Sequence, residues 1–308
     1  MINRILIRIK VIQIIYSYSL NAQKGLPVAE KELLFSLEKT YELYNLLLSL
    51  MVSITEMQDR KLDSAKHKLL PTKEDLNPNT KFTDNQFTAQ LAKNKQLNNF
   101  ISEKKLSWNN YPDLIKDLLE KITSSEIYTE YMDSNDNSYD ADREFWRKTF
   151  KLIIAEDPEL LDTLEDVSVY WNDDIDIVST FVLKTIKRFD KNSGENQELL
   201  PMFKSEDDKQ FASDLLNRAI LHQEEFEEMI RIQAKNWEFD RIALMDLLVM
   251  QTALAELTDF PTIPINVTLN EYIEIAKHYS TTKSGTFING ILDGIISMLK
   301  KEKKLLKS

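Results

Sequence analysis

The stretch around Lys283 combines residue types that bind phosphate groups and unpaired bases. Ser284, Gly285 and Thr286 follow Lys283, and from there apolar residues at three- and four-residue spacing predict a helix. The first turn of a helix offers backbone amides and a partial positive charge to an anion, and Lys283 adds a full charge. Phe287, if exposed, can stack on a base of single-stranded RNA. The stretch therefore predicts a phosphate site with an aromatic ring beside it.

A second basic segment lies at the start of the chain. Arg4, Arg8 and Lys10 fall in a predicted helix over residues 3–20, which contains no acidic residue. Arg4 and Arg8 are four positions apart and share one face of that helix, so both are predicted to hold phosphate groups. Tyr16 has two interpretations: a place in the core, which its position on the apolar stripe favours, or stacking on a base.

The net charge of −11 is unevenly distributed along the chain. Residues 1–20 contribute +3, and residues 277–308, with seven lysines against two acidic residues, contribute +5. The rest carries −19 and repels RNA, so the basic ends are predicted to attract phosphate. For residues 300–307 alone a simpler interpretation is favoured, namely that the lysines keep the chain end solvated.

The composition argues against an enzyme. The chain has no cysteine, and its three histidines are scattered, so it offers neither a thiol nucleophile nor a metal cluster. No GxGxxG or P-loop sequence occurs, and we expect no catalytic residue, no metal and no cofactor. The apolar run of residues 5–15 is interrupted by Arg8 and Lys10 and lacks a following cleavage site. It therefore predicts a cytoplasmic protein without a membrane segment.

The elements that must position these residues are predicted to be helices. Five glycines and eight prolines in 308 residues are too few for the many tight turns of an all-β or doubly wound fold. Three amphipathic helices follow one another in the last quarter, the first two separated by Pro261 and Pro264. The side-chain oxygens of Thr281, Thr282 and Ser284 are predicted to cap the third helix.

The whole chain is predicted to be all-α, with two helical subdomains. These cover residues 1–205 and 206–301 and are followed by a basic tail over residues 302–308. Within the first subdomain, helical spacing predicts one helix over residues 87–106 and another over residues 111–131.

Three motifs in the last quarter carry a resemblance to a known family. Asp-Arg-Ile-Ala occupies residues 240–243, Ile-Asn-Val-Thr-Leu-Asn-Glu-Tyr-Ile-Glu-Ile-Ala-Lys occupies 265–277, and Phe-Ile-Asn-Gly-Ile-Leu-Asp occupies 287–293. In this order and with these gaps they resemble the C-terminal part of NusB, a family of small all-helical RNA-binding factors in bacterial transcription antitermination. Residues 1–35 resemble the family's first helix, whereas 36–205 look like an insertion or elongation.

The resemblance implies a function and a set of contacts. It implies binding of boxA-type single-stranded RNA in ribosomal RNA leader transcripts, together with NusE, a small-subunit ribosomal protein. It also implies contacts with the RNA polymerase elongation complex and other Nus factors. The residues predicted to bind RNA, from the basic segments and from the family motif, are Arg4, Arg8, Lys10, Lys283, Ser284, Thr286, Phe287, Asn289 and Gly290.

Alternative interpretations remain open for several of these features. Asn289 could brace a loop, and Gly290 and Gly294, which share a helix face, could mark close helix packing. The alternative function is a helical protein–protein scaffold in the transcription complex with little RNA binding of its own. Structural ion pairs or caps are predicted for Arg241, Asp246 and Glu256.

Overall fold

The computed structural model describes residues 1–20, 25–235, 237–281 and 283–305 and is built of helices. The α-helices are α1 (Arg4–Leu20), α2 (Leu26–Lys66), α3 (Lys73–Leu76), α4 (Gln86–Ala92), α5 (Lys95–Lys104), α6 (Pro112–Thr123), α7 (Glu126–Asp133), α8 (Tyr139–Thr149), α9 (Pro158–Val167), α10 (Ile175–Arg188), α11 (Glu206–Leu221), α12 (Gln223–Gln233), α13 (Leu244–Asp259), α14 (Ile265–Tyr279) and α15 (Ser284–Lys301). Among the described residues, β-type pairing is limited to an isolated bridge between Ile2 and Phe203. The predicted all-α class is confirmed. None of the described helices has the length and apolar character needed to cross a lipid bilayer.

The chain folds into two compact units. The first unit comprises Met1 and Glu38–Met202, and the second comprises Ile2–Leu37 and Phe203–Ser308. This grouping differs from the predicted division at residue 205, because α1 packs against α11 and α13 and fully buries apolar side chains such as that of Val11. Residues 2–37 therefore belong to the second unit.

Helix α13 lies at the centre of the second unit. It packs against α1, α11, α12, α14 and α15, and every residue from Leu248 to Leu257 is buried. A helix surrounded by other helices must be apolar on all its faces, which explains its leucine, valine, methionine and alanine content. Two buried carboxylates, Asp246 and Glu256, stand near its opposite ends. Each needs specific partners to offset the loss of water.

The first unit has its own core, rich in aromatic side chains. Trp146 is fully buried, with the ring centroids of Phe82 and Phe145 at 5.5 and 5.6 Å. The Tyr131 hydroxyl donates a hydrogen bond of 2.6 Å to the buried carboxylate of Asp142. Burial, reinforced by Asp142, raises the pKa of Tyr131 well above its usual range, so its hydroxyl remains a donor. Residues outside the family motifs thus form a folded body of their own.

Two of the predicted helices are each divided in two. The helix predicted over residues 87–106 is broken between α4 and α5, where the Asn94 side chain accepts a hydrogen bond of 2.9 Å from a backbone amide in the first turn of α5. The helix predicted over residues 111–131 is broken between α6 and α7, where the Ser125 side chain does the same at 3.2 Å. In both places a polar residue caps a new helix, which apolar spacing alone does not reveal.

Three local predictions concern the ends of elements. Tyr16 is 39% exposed, so its predicted place in the core is wrong. Helix α15 begins after Lys283 without a side-chain cap, and Thr282 lies outside the described residues. The predicted basic tail is described only as far as residue 305.

Candidate functional site

Arg8 lies inside the second unit, where it forms an ion pair with Glu256. Its side chain is 3% exposed, and its Nε and Nη2 atoms donate to the two carboxylate oxygens at 2.7 and 2.9 Å. This two-bond arrangement is the strong form of an arginine–carboxylate contact. Because protein encloses the guanidinium, the predicted phosphate contact of Arg8 is wrong. The residue instead joins α1 to α13.

Two further side chains complete the surroundings of Glu256. The Thr268 hydroxyl donates at 2.8 Å and the Tyr272 hydroxyl at 3.3 Å. Burial, together with the charge of Glu256, raises the pKa of Tyr272 well above its usual range. Glu271 adds a longer contact of 3.6 Å to Arg8. The predicted structural role of Glu256 is confirmed.

The other basic residues of α1 also face protein. Arg4 pairs with Asp208 at 3.3 Å, and its guanidinium lies 4.9 Å from the ring centroid of Phe211, whereas that of Arg8 lies 5.8 Å from the same ring. The two arginines therefore do share one face, but that face packs on α11. Lys10 is 2% exposed, which removes it from the predicted RNA contacts. Arg4, with 41% of its side chain exposed, remains a candidate.

A cleft of about 580 Å³ opens at the other end of α13, beside the start of α15. The rings of Trp237 and Phe287 line it edge to face, with 5.2 Å between centroids and an interplanar angle of 67°. Trp237 is 62% exposed, and Phe287 is half-buried. Two rings held against each other at an open cleft offer a surface on which a base can stack.

Cations stand at the same cleft. Lys283 is exposed at the start of α15, and Thr286 is exposed on the first turn of that helix. Arg241 is 79% exposed and pairs with its neighbour Glu238 at 3.3 Å. Surface pairs of this kind contribute little free energy, so Arg241 can exchange its partner for an anion. The cleft therefore combines aromatic rings with two accessible positive charges.

Asp246 adds a buried acceptor to the cleft. It is 7% exposed and stands in the first turn of α13. The Ser284 hydroxyl donates to its Oδ2 atom at 3.0 Å, whereas its Oδ1 atom has no hydrogen-bond partner among the described residues. Ser284 is itself buried, so its side chain holds Asp246, and the predicted RNA contact through that side chain is wrong. A buried acceptor without a partner suits a donor from a bound molecule.

The family motif on α15 gives a mixed result. Asn289 donates to Asp293 at 3.2 Å within the helix. A methyl group built on Gly290 would meet nothing within 4 Å, whereas one on Gly294 would lie 2.7 Å from the Gln233 side-chain oxygen. The interpretation as close packing therefore holds for Gly294 and fails for Gly290, which faces open space.

The two predicted basic segments engage opposite ends of α13. Arg8 of α1 binds Glu256, and Ser284 of α15 binds Asp246. These carboxylates are ten positions apart, which corresponds to about 15 Å along a helix axis. A single phosphate surface built from Arg8 and Lys283 is therefore not formed.

Sequence reasoning did not single out Trp237 or Arg241 as contacts. Arg241 belongs to a family motif, but the prediction for it was a structural ion pair or cap. Trp237 follows the apolar residues of α12 at helical spacing, but α12 ends at Gln233, so the ring lies in the segment between α12 and α13. The sequence pattern therefore gave no signal that pointed to the cleft.

Paired aromatic rings beside cations are typical of proteins that bind single-stranded nucleic acid. The model of the NusB family matches residues 178–297. The chain is 35% identical over 133 residues to the transcription antitermination protein NusB of Salinibacter ruber (strain DSM 13855 / M31), covering 41% of this chain and 83% of that protein. It is 40% identical over 116 residues to the protein of that name from Geobacter sulfurreducens (strain ATCC 51573 / DSM 12127 / PCA), covering 36% and 84%. The chain belongs to the NusB family.

The family match covers only part of the molecule. Residues 1–35 lie outside the matched range, so the resemblance of the first helix stays a prediction. Residues 36–177 also lie outside it, as expected for an insertion or elongation, whereas residues 178–205, which were predicted to belong to the insertion, lie inside it. No solved structure matches the chain.

Proposed function

We propose that this protein is a transcription antitermination factor that binds single-stranded RNA at the cleft beside α15. The observation that carries the proposal is the Trp237–Phe287 ring pair next to Lys283, Arg241 and the unpaired oxygen of Asp246. Stacking is worth about 1–3 kcal/mol per base, so one base on these rings supplies a substantial part of the affinity. The cations hold the neighbouring phosphates, and the carboxylate oxygen accepts a hydrogen bond from a base amino group or a ribose hydroxyl.

The RNA and the partners follow from the resemblance. We propose boxA-type elements of ribosomal RNA leader transcripts as the RNA, with the ribosomal protein NusE bound beside it. The complex would act in the cytoplasm on the RNA polymerase elongation complex with other Nus factors. The relatives' name, transcription antitermination protein, supports the process, and the cleft supports single-stranded RNA as the ligand.

The cations of the cleft give the direct test. Lys283→Gln with Arg241→Gln should reduce the dependence of leader-RNA binding on salt, by a slope of about 0.7 for each lost phosphate contact. Filter binding over a salt series measures this. The matched control is Lys300→Gln with Lys301→Gln, two exposed lysines at the far end of the same helix, which should keep the original slope. Equal slopes in both variants would remove the cleft from the RNA site.

A protein–protein scaffold is the second candidate function. It is favoured by the burial of Arg8 and Lys10, which leaves α1 with fewer cations for RNA than expected. A scaffold would bind NusE but shift leader RNA in a gel only when NusE is present. Binding of RNA by the protein alone, lost on Phe287→Ala, would favour the first candidate.

A further inference from the structure

We infer that the first unit carries a second site for nucleic-acid phosphate, in a cleft where α8 begins and α10 ends. The cleft has a volume of about 580 Å³ and is lined by Arg143, Lys187, Arg188 and Lys191, together with polar side chains. It is separate from the cleft beside α15, since all its residues belong to the first unit. The inference rests on the proposed function only in naming RNA as the polymer.

The charge of the first unit is strongly segregated. Residues 38–202 hold 31 acidic and 21 basic residues, a net charge of −10. Residues 143–151 and residues 184–191 each hold four basic residues against one acidic residue, which together give +6. The rest of the unit therefore carries −16. The first basic segment lies on α8 and on the π-helical residues after it, Phe150–Ile154. The second lies on α10 and on the residues that follow it, and α8 and α10 pack against each other.

One arginine of the cleft is fixed, and three cations are left accessible. Arg143 donates to the Phe189 carbonyl at 2.7 Å and pairs with Asp140 at 2.8 Å. Lys187, Arg188 and Lys191 are exposed, and none of them has an ion-pair or hydrogen-bond partner among the described residues. Like charges held this close repel one another. Their repulsion is relieved when an anion binds between them.

Termination of α10 does not account for these cations. A helix C-terminus carries about half a negative charge, which a single lysine in the last turn already complements. Helix α8 begins in the same cleft with Ser138 as its cap, so its positive end offsets the negative end of α10. Counting Asp140 and Asp190 against the four basic side chains leaves the cleft with +2. The surplus is available to a ligand.

A nucleic-acid backbone fits this arrangement better than an isolated anion. Further basic residues outside the cleft lie on the same two packed segments: Lys148, Lys151 and Lys184 are exposed, whereas Arg147 pairs with Glu144 at 2.6 Å. An extended row of cations matches the repeating charge of a phosphate backbone. Contacts to phosphate carry no sequence information, so the first unit would add affinity without changing which sequence is preferred.

The test compares two variants with the same change in charge. Lys187→Gln, Arg188→Gln and Lys191→Gln are combined in one protein, and Lys61→Gln, Lys66→Gln and Lys73→Gln in the control, all exposed positions of the first unit. Binding of a fluorescein-labelled single-stranded RNA of mixed sequence is followed by fluorescence anisotropy. At about 0.7 per contact, the salt slope of the cleft variant should fall by roughly 2. When the salt concentration rises from 50 to 200 mM, the loss of RNA affinity of the cleft variant should therefore be roughly twentyfold smaller than that of the wild type. The control should keep the wild-type slope.

Equal slopes in the cleft variant and the control would overturn the inference. So would a cleft variant that loses retention on immobilised polyglutamate but binds RNA as before, since the cleft would then fit an acidic protein. Phe287→Ala separates this inference from the proposed function, because it removes a base contact and not a phosphate contact. If it abolishes the preference for leader RNA while the cleft variant keeps its slope, the proposed function stands and this inference fails. The reverse pattern sustains this inference and removes the base site.

Discussion

The two carboxylates of α13 have similar chemistry and burial but different surroundings. Glu256 is fully buried, and both of its oxygens are engaged by Arg8, Thr268 and Tyr272. Asp246 is 7% exposed, one oxygen is held by Ser284, and the other has no partner among the described residues. One end of the helix is thus closed and fully hydrogen bonded, while the other opens into a cleft.

The position of each carboxylate along the helix explains the difference. Asp246 stands in the first turn of α13, where the partial positive charge of the helix end stabilises an anion. Glu256 stands three residues before the helix ends, where the partial charge is negative. Glu256 therefore requires a full cation, and Arg8 supplies it. Asp246 is stabilised by the helix itself, so one of its oxygens can remain without a hydrogen-bond partner.

Removing Arg8 should disrupt the hydrogen bonding around Glu256 and give the largest loss of stability. Arg8→Met leaves the Glu256 charge buried without its cation, and we expect unfolding to become easier by about 3–5 kcal/mol. Urea denaturation followed by far-UV circular dichroism measures this. Arg8→Met combined with Glu256→Gln should recover much of the loss, because no unpaired charge is left. Arg4→Gln removes a partly exposed pair and should cost less than about 1 kcal/mol.

One outcome would contradict the structural role of Arg8. If Arg8→Met left stability unchanged but weakened binding of RNA, Arg8 would be part of a ligand site and not of the core. If the two units unfold independently, unfolding is expected in two transitions. The transition to compare is then the one that Glu256→Gln also shifts, because Glu256 belongs to the second unit.

The fate of Arg8 shows where sequence reasoning stops. The spacing of Arg4 and Arg8 correctly places them on one face of one helix, since that is a local property. Whether the face meets solvent or a buried glutamate depends on Glu256, 248 positions away in the chain. No local pattern reveals such a pairing. The helices and family motifs were predictable because they rest on periodicity and on adjacent residues.

The site at the open end was predictable in part for the same reason. Lys283 and Phe287 are contiguous with a helix start, and both line the cleft. Trp237 and Arg241 come to the same cleft from the segment between α12 and α13. That approach is a matter of tertiary packing, so the aromatic pair could not be read from either segment alone.

Removing the aromatic rings tests whether a base stacks in the cleft at the open end of α13. Trp237→Ala and Phe287→Ala each remove one member of the pair, and each should weaken RNA binding by about 1–3 kcal/mol if a base stacks there. Trp237 is 62% exposed, so its loss should leave the unfolding midpoint nearly unchanged. Anisotropy with leader RNA gives the affinity, and Val267→Ala, an exposed apolar residue on α14, is the control. Equal affinities for all three variants would contradict stacking at this cleft.

Changing the free oxygen of Asp246 should have a smaller effect. In Asp246→Asn the amide oxygen can still accept from Ser284, while the other position becomes a donor. If a base or ribose donates there, affinity should fall roughly tenfold, as for a lost hydrogen bond to a charged group. Glu228→Gln, an exposed carboxylate on α12 that does not line the cleft, should bind RNA like the wild type. Unchanged binding by Asp246→Asn would assign Asp246 to structure, like Glu256.

The smallest effect is expected at Gly290, which belongs to the family motif on α15. Gly290→Ala adds a methyl group that meets nothing within 4 Å, and it should stabilise α15 by up to about 1 kcal/mol through helix propensity. If RNA approaches the helix backbone at this position, the same methyl group should weaken binding while stability rises. Urea denaturation and anisotropy on one preparation separate the two effects. Gly294→Ala is the control, since its methyl group would press on Gln233 inside the unit and should not alter RNA binding. Higher stability with unchanged affinity would show that Gly290 is open to solvent but outside the RNA contact.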